Sequence, residues 1–249
     1  MFQTDFSYSF YKKIIDFCNE IGSIIPLKEY DRNTSNEINF IWRHDIDISL
    51  NYALTMAKIE AEHGIFSTYM IIPDSPLYQI QDTENRKILC EILEMGHEIA
   101  LHFDIETAGV KNTADSNDIN NAINRDIKKI TKVCGTEVNS ISFHRPLQKF
   151  LYGETYICGC LNAYSSELME FYISDSQGSW REGNPLTSLS KFDSSVGQIL
   201  THPIWWAEKH MTPTQTLKNH LARQTKTMTR NESANYKEIL KQTVPGVRQ

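Results

Sequence analysis

Apolar residues recur at Phe6, Phe10, Ile14 and Phe17, a three- and four-residue spacing that predicts an amphipathic helix over 5–21 on the outside of the fold. After the polar turn "NTSNE" (33–37), the segment "INFIWRHDID" (38–47) has the isoleucine and aromatic content of a strand. Ser49 then caps a helix, "LNYALTMAKIEAEHG", that stops at Gly64, and "IFSTYMII" (65–72) is a β-branched and aromatic run ended by Pro73. Further helices are predicted over 83–95 and 117–133, with strands at "HEIALHF" (97–103) and "SISFH" (140–144). The last third is less regular, with strands at "EFYIS" (170–174) and "GQILTHP" (197–203) before one C-terminal helix. Repeated strand–helix–strand units predict an α/β fold, a barrel or an open parallel sheet, with any active site at the C-terminal strand ends.

A chain of 249 residues, 40% hydrophobic and 22% charged, is long enough for one large core, and one globular domain is expected. Lys12, Lys13 and Asp16 interrupt the N-terminal region where a signal peptide would need an unbroken apolar run, and no segment approaches the roughly 18 apolar residues of a membrane span. A soluble, cytoplasmic protein is the expectation. Five scattered cysteines (Cys18, Cys90, Cys134, Cys158, Cys160) fit reduced thiols better than a disulfide framework, and the close pair Cys158 and Cys160 reads as packing.

The net charge of −6 argues against nucleic acid as a partner, because phosphate contacts need a basic surface. The charge is uneven: from Lys209 onward there are eight Lys or Arg and two Glu, a local +6 that leaves −12 on the first 208 residues. A solvated helix face accounts for this; docking of a phosphate-bearing substrate or an anionic surface is the sharper reading.

The chemistry concentrates at strand ends. Alternation along a strand puts Asp45 and Asp47 on one side of "RHDID" and His44 on the other. Two carboxylates that close repel unless a cation joins them, and a metal ion is the economical cation. Asp47 as a mere helix cap is the bland alternative. His102, with Asp104 on the same side, ends a second strand. His144 and Arg145 end a third, and His202 ends a fourth.

With these residues in place, the chain resembles the polysaccharide deacetylase superfamily over 38–206, through five ordered motifs. "HDID" resembles the aspartate pair of base and metal ligand, Asp45 and Asp47; "GHEIALHFD" resembles the ligand motif, with His102. "HRP" resembles the arginine-and-proline motif that supports the base, with Arg145; "DSQGSW" is loosely similar to the aspartate-and-tryptophan motif, with Asp175 and Trp180; "LTH" resembles the last, with Leu200 and His202. The wording of "RHDID", "LHFD", "FHRP", "YISDS" and "GSWR" is closest to deacetylases of O-antigen and other surface-polysaccharide clusters. The resemblance implies a distorted seven-stranded β/α barrel over 38–206, between an N-terminal helix and lead-in (1–37) and a basic C-terminal helix (207–249). It also implies a zinc, manganese, nickel or cobalt-type ion, and an N-acetylated sugar as substrate, nucleotide- or lipid-linked.

The implied roles are Asp45 as general base, Arg145 as its charge partner, His202 as the acid for the leaving amine, and His144, Asp175, Trp180 and Trp205, with Trp206, around the sugar. One departure stands out. The family's second motif carries two histidines four residues apart, yet the second position here is Glu106, with Asp104 between. The third ligand is therefore expected to be a carboxylate, Asp104 ahead of Glu106, with His144 disfavoured because it alternates away from Arg145. Such a set would carry two negative charges, make a bound water less acidic, shift turnover toward alkaline pH and widen tolerance toward manganese. Two rivals share the motifs: a hydrolase of a formamide or non-sugar amide, and a catalytically silent carbohydrate-binding barrel.

Overall fold

The computed structural model describes residues 5–31, 38–111, 115–146 and 148–245; the turn expected at 33–37 lies outside them. In chain order the elements are α1 (Tyr8–Ile21), β1 (Ser23–Ile25), β2 (Asn39–Ile46), α2 (Leu50–Glu62), β3 (Thr68–Ile71), α3 (Thr83–Glu94), β4 (Glu98–Phe103), α4 (Ser116–Cys134) and β5 (Ser140–Phe143). They continue with β6 (Tyr156–Ile157), β7 (Cys160–Asn162), β8 (Tyr172–Ser174), α5 (Pro185–Leu189), β9 (Val196–Thr201), α6 (Pro213–Gln224) and α7 (Arg230–Thr243). No described helix is long and apolar enough to cross a membrane.

The α/β class and the parallel strand–helix–strand units are as the patterning predicts, and the strands make a larger sheet than the distorted seven-stranded barrel that the resemblance implies. The strands form one nine-stranded sheet in the order β6-β7-β5-β4-β3-β2-β9-β8, with β1 added to β2. All pairings are parallel except the β6–β7 hairpin. Among the described residues β6 and β8 are free edges. The reason lies in the irregular stretch between β5 and β8, whose strands are too short to carry the ladder round. A side chain bridges part of the gap instead: Gln198 Nε2 on β9 donates to Ala163 O (2.9 Å) and Leu168 O (3.0 Å).

β2 is the centre of the arrangement. One edge pairs with β9 over Asn39–His44, and the other is shared by β1 below and β3 above. A strand enclosed on both edges and both faces reads as a continuous apolar run, and the seven residues from Phe40 to Ile46 are all buried. Ser49 sits at the N-cap of α2 but makes no capping hydrogen bond; Gly64, at φ 68°, takes the left-handed turn that ends the helical segment. The single C-terminal helix divides into α6 and α7. Thr212 with Gln215, and Thr229 with Glu232, each form a reciprocal capping box that starts a helix. Lys218, Arg223, Lys226, Arg230, Lys237 and Lys241 on this pair are solvent-exposed.

A buried polar knot fixes β2 against its neighbours. Glu60 of α2 accepts from Tyr11, Ser67 (2.6 Å) and Tyr69 (2.7 Å), and faces His44 Nε2 at 2.6 Å. His44 Nδ1 in turn meets Thr201 Oγ1 of β9 at 2.7 Å. Burial pushes the Glu60 carboxyl up, but His44, His97 and the hydroxyl donors outweigh it and bring it down to about 2. The network is satisfied on both oxygens, the condition under which a buried charge specifies a packing rather than weakening it.

Candidate metal centre and catalytic cavity

The C-terminal strand ends open into a cavity of about 610 Å³, lined among others by Asp45, Asp47, His102, His144 and His202. Asp45 lies on β2 and Asp47 directly follows it, so strand alternation turns both carboxylates into the cavity while His44 turns away into the Glu60 knot.

Asp47, His102 and His144 converge, each offering a ligand atom within 4.8 Å of the others'. Asp47 Oδ1 stands 3.3 Å from His102 Nε2 and 3.3 Å from His144 Nδ1, yet it is a buried acceptor with no hydrogen-bond partner. Atoms that crowd without aligning donor to acceptor are what a shared cation would resolve. The donor chemistry agrees: two imidazole nitrogens and one carboxylate are a common three-ligand set for zinc and similar divalent ions, leaving a position for water or substrate. The orientation of His102 is fixed from behind. Its Nδ1 meets Ser142 Oγ at 2.6 Å, and that hydroxyl donates to Asp45 Oδ1 at 3.4 Å; Ser142 must then accept from Nδ1, which leaves Nε2 a free lone pair. Burial raises the Asp47 carboxyl, but the imidazoles of His144, His102 and His202 outweigh it and hold it well below the usual range.

The expected carboxylate ligands are not in this cluster. β4 ends at Phe103, and the following turn uses Asp104 locally: its Oδ1 accepts from Glu106 N at 3.2 Å. That turn sends Glu106 outward, its side chain 68% exposed and 3.4 Å from Arg145. His144 takes the place assigned to them, because alternation stops at the end of β5. Phe143 is the last strand residue and Arg145 turns left-handed at φ 51°, so a reading of His144 relative to Arg145 has no basis. The geometry places His144 directly, beside Asp47 and His102, and the His102 and His144 rings meet edge-to-face at 5.3 Å.

Arg145 is also displaced from its expected role. Its Nη2 donates to Gln242 O at 2.7 Å, away from Asp45. The cation at Asp45 is Arg43, whose Nη1 lies 3.0 Å from Asp45 Oδ1 with both side chains buried. Arg43 also stacks its guanidinium over the Tyr164 ring at 4.8 Å. Residues 43, 45 and 47 share one strand face by the same alternation, which is the sequence signal for Arg43.

His202 stands across from the cluster, its Nε2 3.9 Å from Asp47 Oδ2. Behind it, Asp175 Oδ1 accepts from His202 Nδ1 (2.7 Å) and from the His202 backbone N–H (2.9 Å), and Oδ2 accepts from Trp206 Nε1 (2.9 Å). Burial pulls the His202 imidazole down, but Asp175, then Asp47 and Asp45, raise it to about 9. Burial pushes the Asp175 carboxyl up against its three donors. A carboxylate accepting three N–H groups is built for the ionised form, so the proton shared by this pair belongs on His202. Asp175 thus supports His202 from outside the cavity lining. Trp180 is likewise in the core, edge-to-face with Trp206 at 6.3 Å. Of the expected aromatic wall only Trp205 lines the cavity, with Tyr152, Tyr164 and Tyr172 beside it.

No protein-family model and no curated protein sequence matches the chain. Among solved structures, a family 4 carbohydrate esterase from Bacillus anthracis aligns over 89% of this chain and 91% of its own, with 13% identity and a TM-score of 0.45. The catalytic domain of a peptidoglycan N-acetylglucosamine deacetylase from Eubacterium rectale aligns over 76% and 86%, with 12% identity and a TM-score of 0.42. A CE4 family pseudoenzyme from Bacillus anthracis aligns over 78% of this chain but 63% of its own, with 12% identity and a TM-score of 0.44; the chain spans less than two thirds of that protein. Likenesses this distant carry neither fold nor chemistry, which rest on the residues described above.

Proposed function

We propose that the protein is a metal-dependent hydrolase that removes an N-acyl group, in the simplest case acetyl, from a sugar. The observation that carries this reading is the convergence of Asp47, His102 and His144 on one cavity, with a paired carboxylate, Asp45, on one side and a carboxylate-backed imidazole, His202, on the other. A divalent ion on the three ligands would polarise the acyl carbonyl and acidify a water beside it. Asp45 accepts the proton as the water attacks the carbonyl carbon, its carboxylate positioned by Arg43 and Ser142. As the C–N bond breaks, His202 Nε2 gives its proton to the leaving amine; an imidazole raised to about 9 carries that proton at neutral pH. Arg145, Asp104 and Glu106 have no part in these steps.

The finer reading places the sugar in surface-polysaccharide or O-antigen biosynthesis, as a nucleotide- or lipid-linked precursor handled in the cytoplasm. The five free cysteines support a reducing compartment. The exposed basic residues of α6, α7 and the turn between them support a phosphate-bearing substrate, since α7 ends at the cavity. The test is a screen of metal-loaded protein against N-acetylated sugar nucleotides, free N-acetyl sugars and simple formamides, with free amine as the readout. Amine from the sugars alone supports the reading; amine from the formamides alone replaces it with the rival amide hydrolase.

A further inference from the structure

We infer that the end of α7 is a wall of the cavity, fastened by Arg145, and that it confines the substrate to a single sugar or short saccharide. The inference rests on the deacetylase reading and narrows its substrate. Thr243, Val244 and Pro245 line the cavity. Val244, 6% exposed, belongs to the same apolar cluster as Leu217 and Trp205, and Trp205 also lines the cavity.

The fastening is specific. Gln242 lies in the last turn of α7, where carbonyls lack an intrahelical partner, and Arg145 Nη2 supplies one at 2.7 Å. A cation at a helix C-terminus also meets the negative end of the dipole. Arg145 reaches that carbonyl from a left-handed backbone at φ 51°, a conformation disfavoured for a side chain of this size. Tyr152 and Gln177, at φ 55° and 60°, line the same cavity; three of the four described non-glycine residues with positive φ therefore surround it, the clustering expected where a chain is bent to shape a site.

The consequence is a question of shape. Tyr152 bounds the cavity from the β5–β6 segment, Arg181 from the segment after β8, and α7 from beyond β9. A polymer threaded across a site needs an exit on two sides; with Thr243, Val244 and Pro245 in the lining, the end of α7 would close one of them. The volume of about 610 Å³ lies within the roughly 300–1,000 Å³ of small-molecule sites.

The test uses the full chain, zinc-loaded, with N-acetylglucosamine and hexa-N-acetylchitohexaose as probes, and reads amine release together with amide hydrogen exchange over 240–245. Wild type should favour the monosaccharide. Arg145→Ala should speed exchange over 240–245 and raise the hexamer-to-monomer rate ratio by about fivefold, as befits loss of one solvent-exposed hydrogen bond. Val244→Ala, loosening the same wall from the helix side, should act in the same direction. Unchanged exchange in both variants overturns the fastening whatever the substrate. Faster exchange with an unchanged ratio, or a wild type that prefers the hexamer, overturns the size restriction. No amine from either probe, with zinc bound, counts against the deacetylase reading and removes the size restriction with it, while exchange still decides whether Arg145 fastens the helix.

Discussion

Arg43 and Asp45 stand two residues apart on β2, face the same way, and join through a 3.0 Å contact from which water is excluded. Asp45 lines the cavity beside the candidate ligands, and Arg43 pairs with it from the buried interior. Arg43→Ala should therefore remove two things at once: the position of the base and the partner of a buried charge. We expect turnover to fall sharply and the protein to lose about 3 kcal/mol of stability, the usual cost of orphaning one member of a buried ion pair. Rate assays and urea melts check both. Arg145→Ala, by contrast, should leave monosaccharide turnover within a few-fold of wild type; a loss as deep as that of Arg43→Ala would return Arg145 to the base.

His144→Ala should abolish stoichiometric metal binding, whereas Asp104→Ala and Glu106→Gln should bind metal normally, because neither carboxylate is in the cluster. Elemental analysis of the purified variants decides the ligand set. The ligands then carry one negative charge, so the alkaline shift and wider tolerance toward manganese expected of two carboxylates do not follow.

The pH profile follows from His202. Its pKa is raised to about 9, so the acid form persists through neutral pH and the rate should fall as pH rises past about 9. Asp175→Asn removes the largest of the raising influences, and this alkaline limb should move to lower pH. His202→Ala should lower kcat by about a hundredfold with metal content unchanged. An alkaline limb that stays in place in Asp175→Asn would detach it from His202.

Glu60 gives a stability prediction separate from catalysis. Its carboxyl is lowered to about 2, so its contribution is fully present above the ordinary carboxylate pKa of about 4.5 and is lost as pH falls toward 2. Wild type should lose stability in urea melts across that window. Glu60→Gln should be less stable at pH 7, since the His44 and His97 partners lose their anion, and its stability should depend less on pH over the same range.

Much of this was legible in the chain because local patterning and local geometry agree. The β2–α2–β3–α3–β4–α4–β5 run follows from apolar runs and periodicity, and Asp45, Asp47, His102 and His202 all reach the cavity because each closes or follows a strand. The failures have one physical origin, a strand rule carried past the end of its strand. Asp104 and Glu106 follow β4 into a turn, and Arg145 follows β5 into a left-handed bend, so alternation says nothing about them. Applied within the strand, the same rule reaches Arg43 and Ser142. The choice between a barrel and an open sheet was not legible, since it depends on how the irregular stretch between β5 and β8 packs. The division of the C-terminal helix was missed by the single-helix expectation, although the two capping signatures "TPTQ" and "TRNE" carry its signal.

The most direct measurement of the central claim is amine release from an N-acetylated sugar by protein of known metal content, before and after chelation, for wild type and Asp45→Asn. The arrangement of Asp47, His102 and His144 beside Asp45 predicts about one divalent ion per chain. It also predicts amine release that chelation abolishes and added metal restores, and an Asp45→Asn protein that keeps its metal and loses turnover. Amine release that survives complete metal removal, or persists at the wild-type rate in Asp45→Asn, would contradict it.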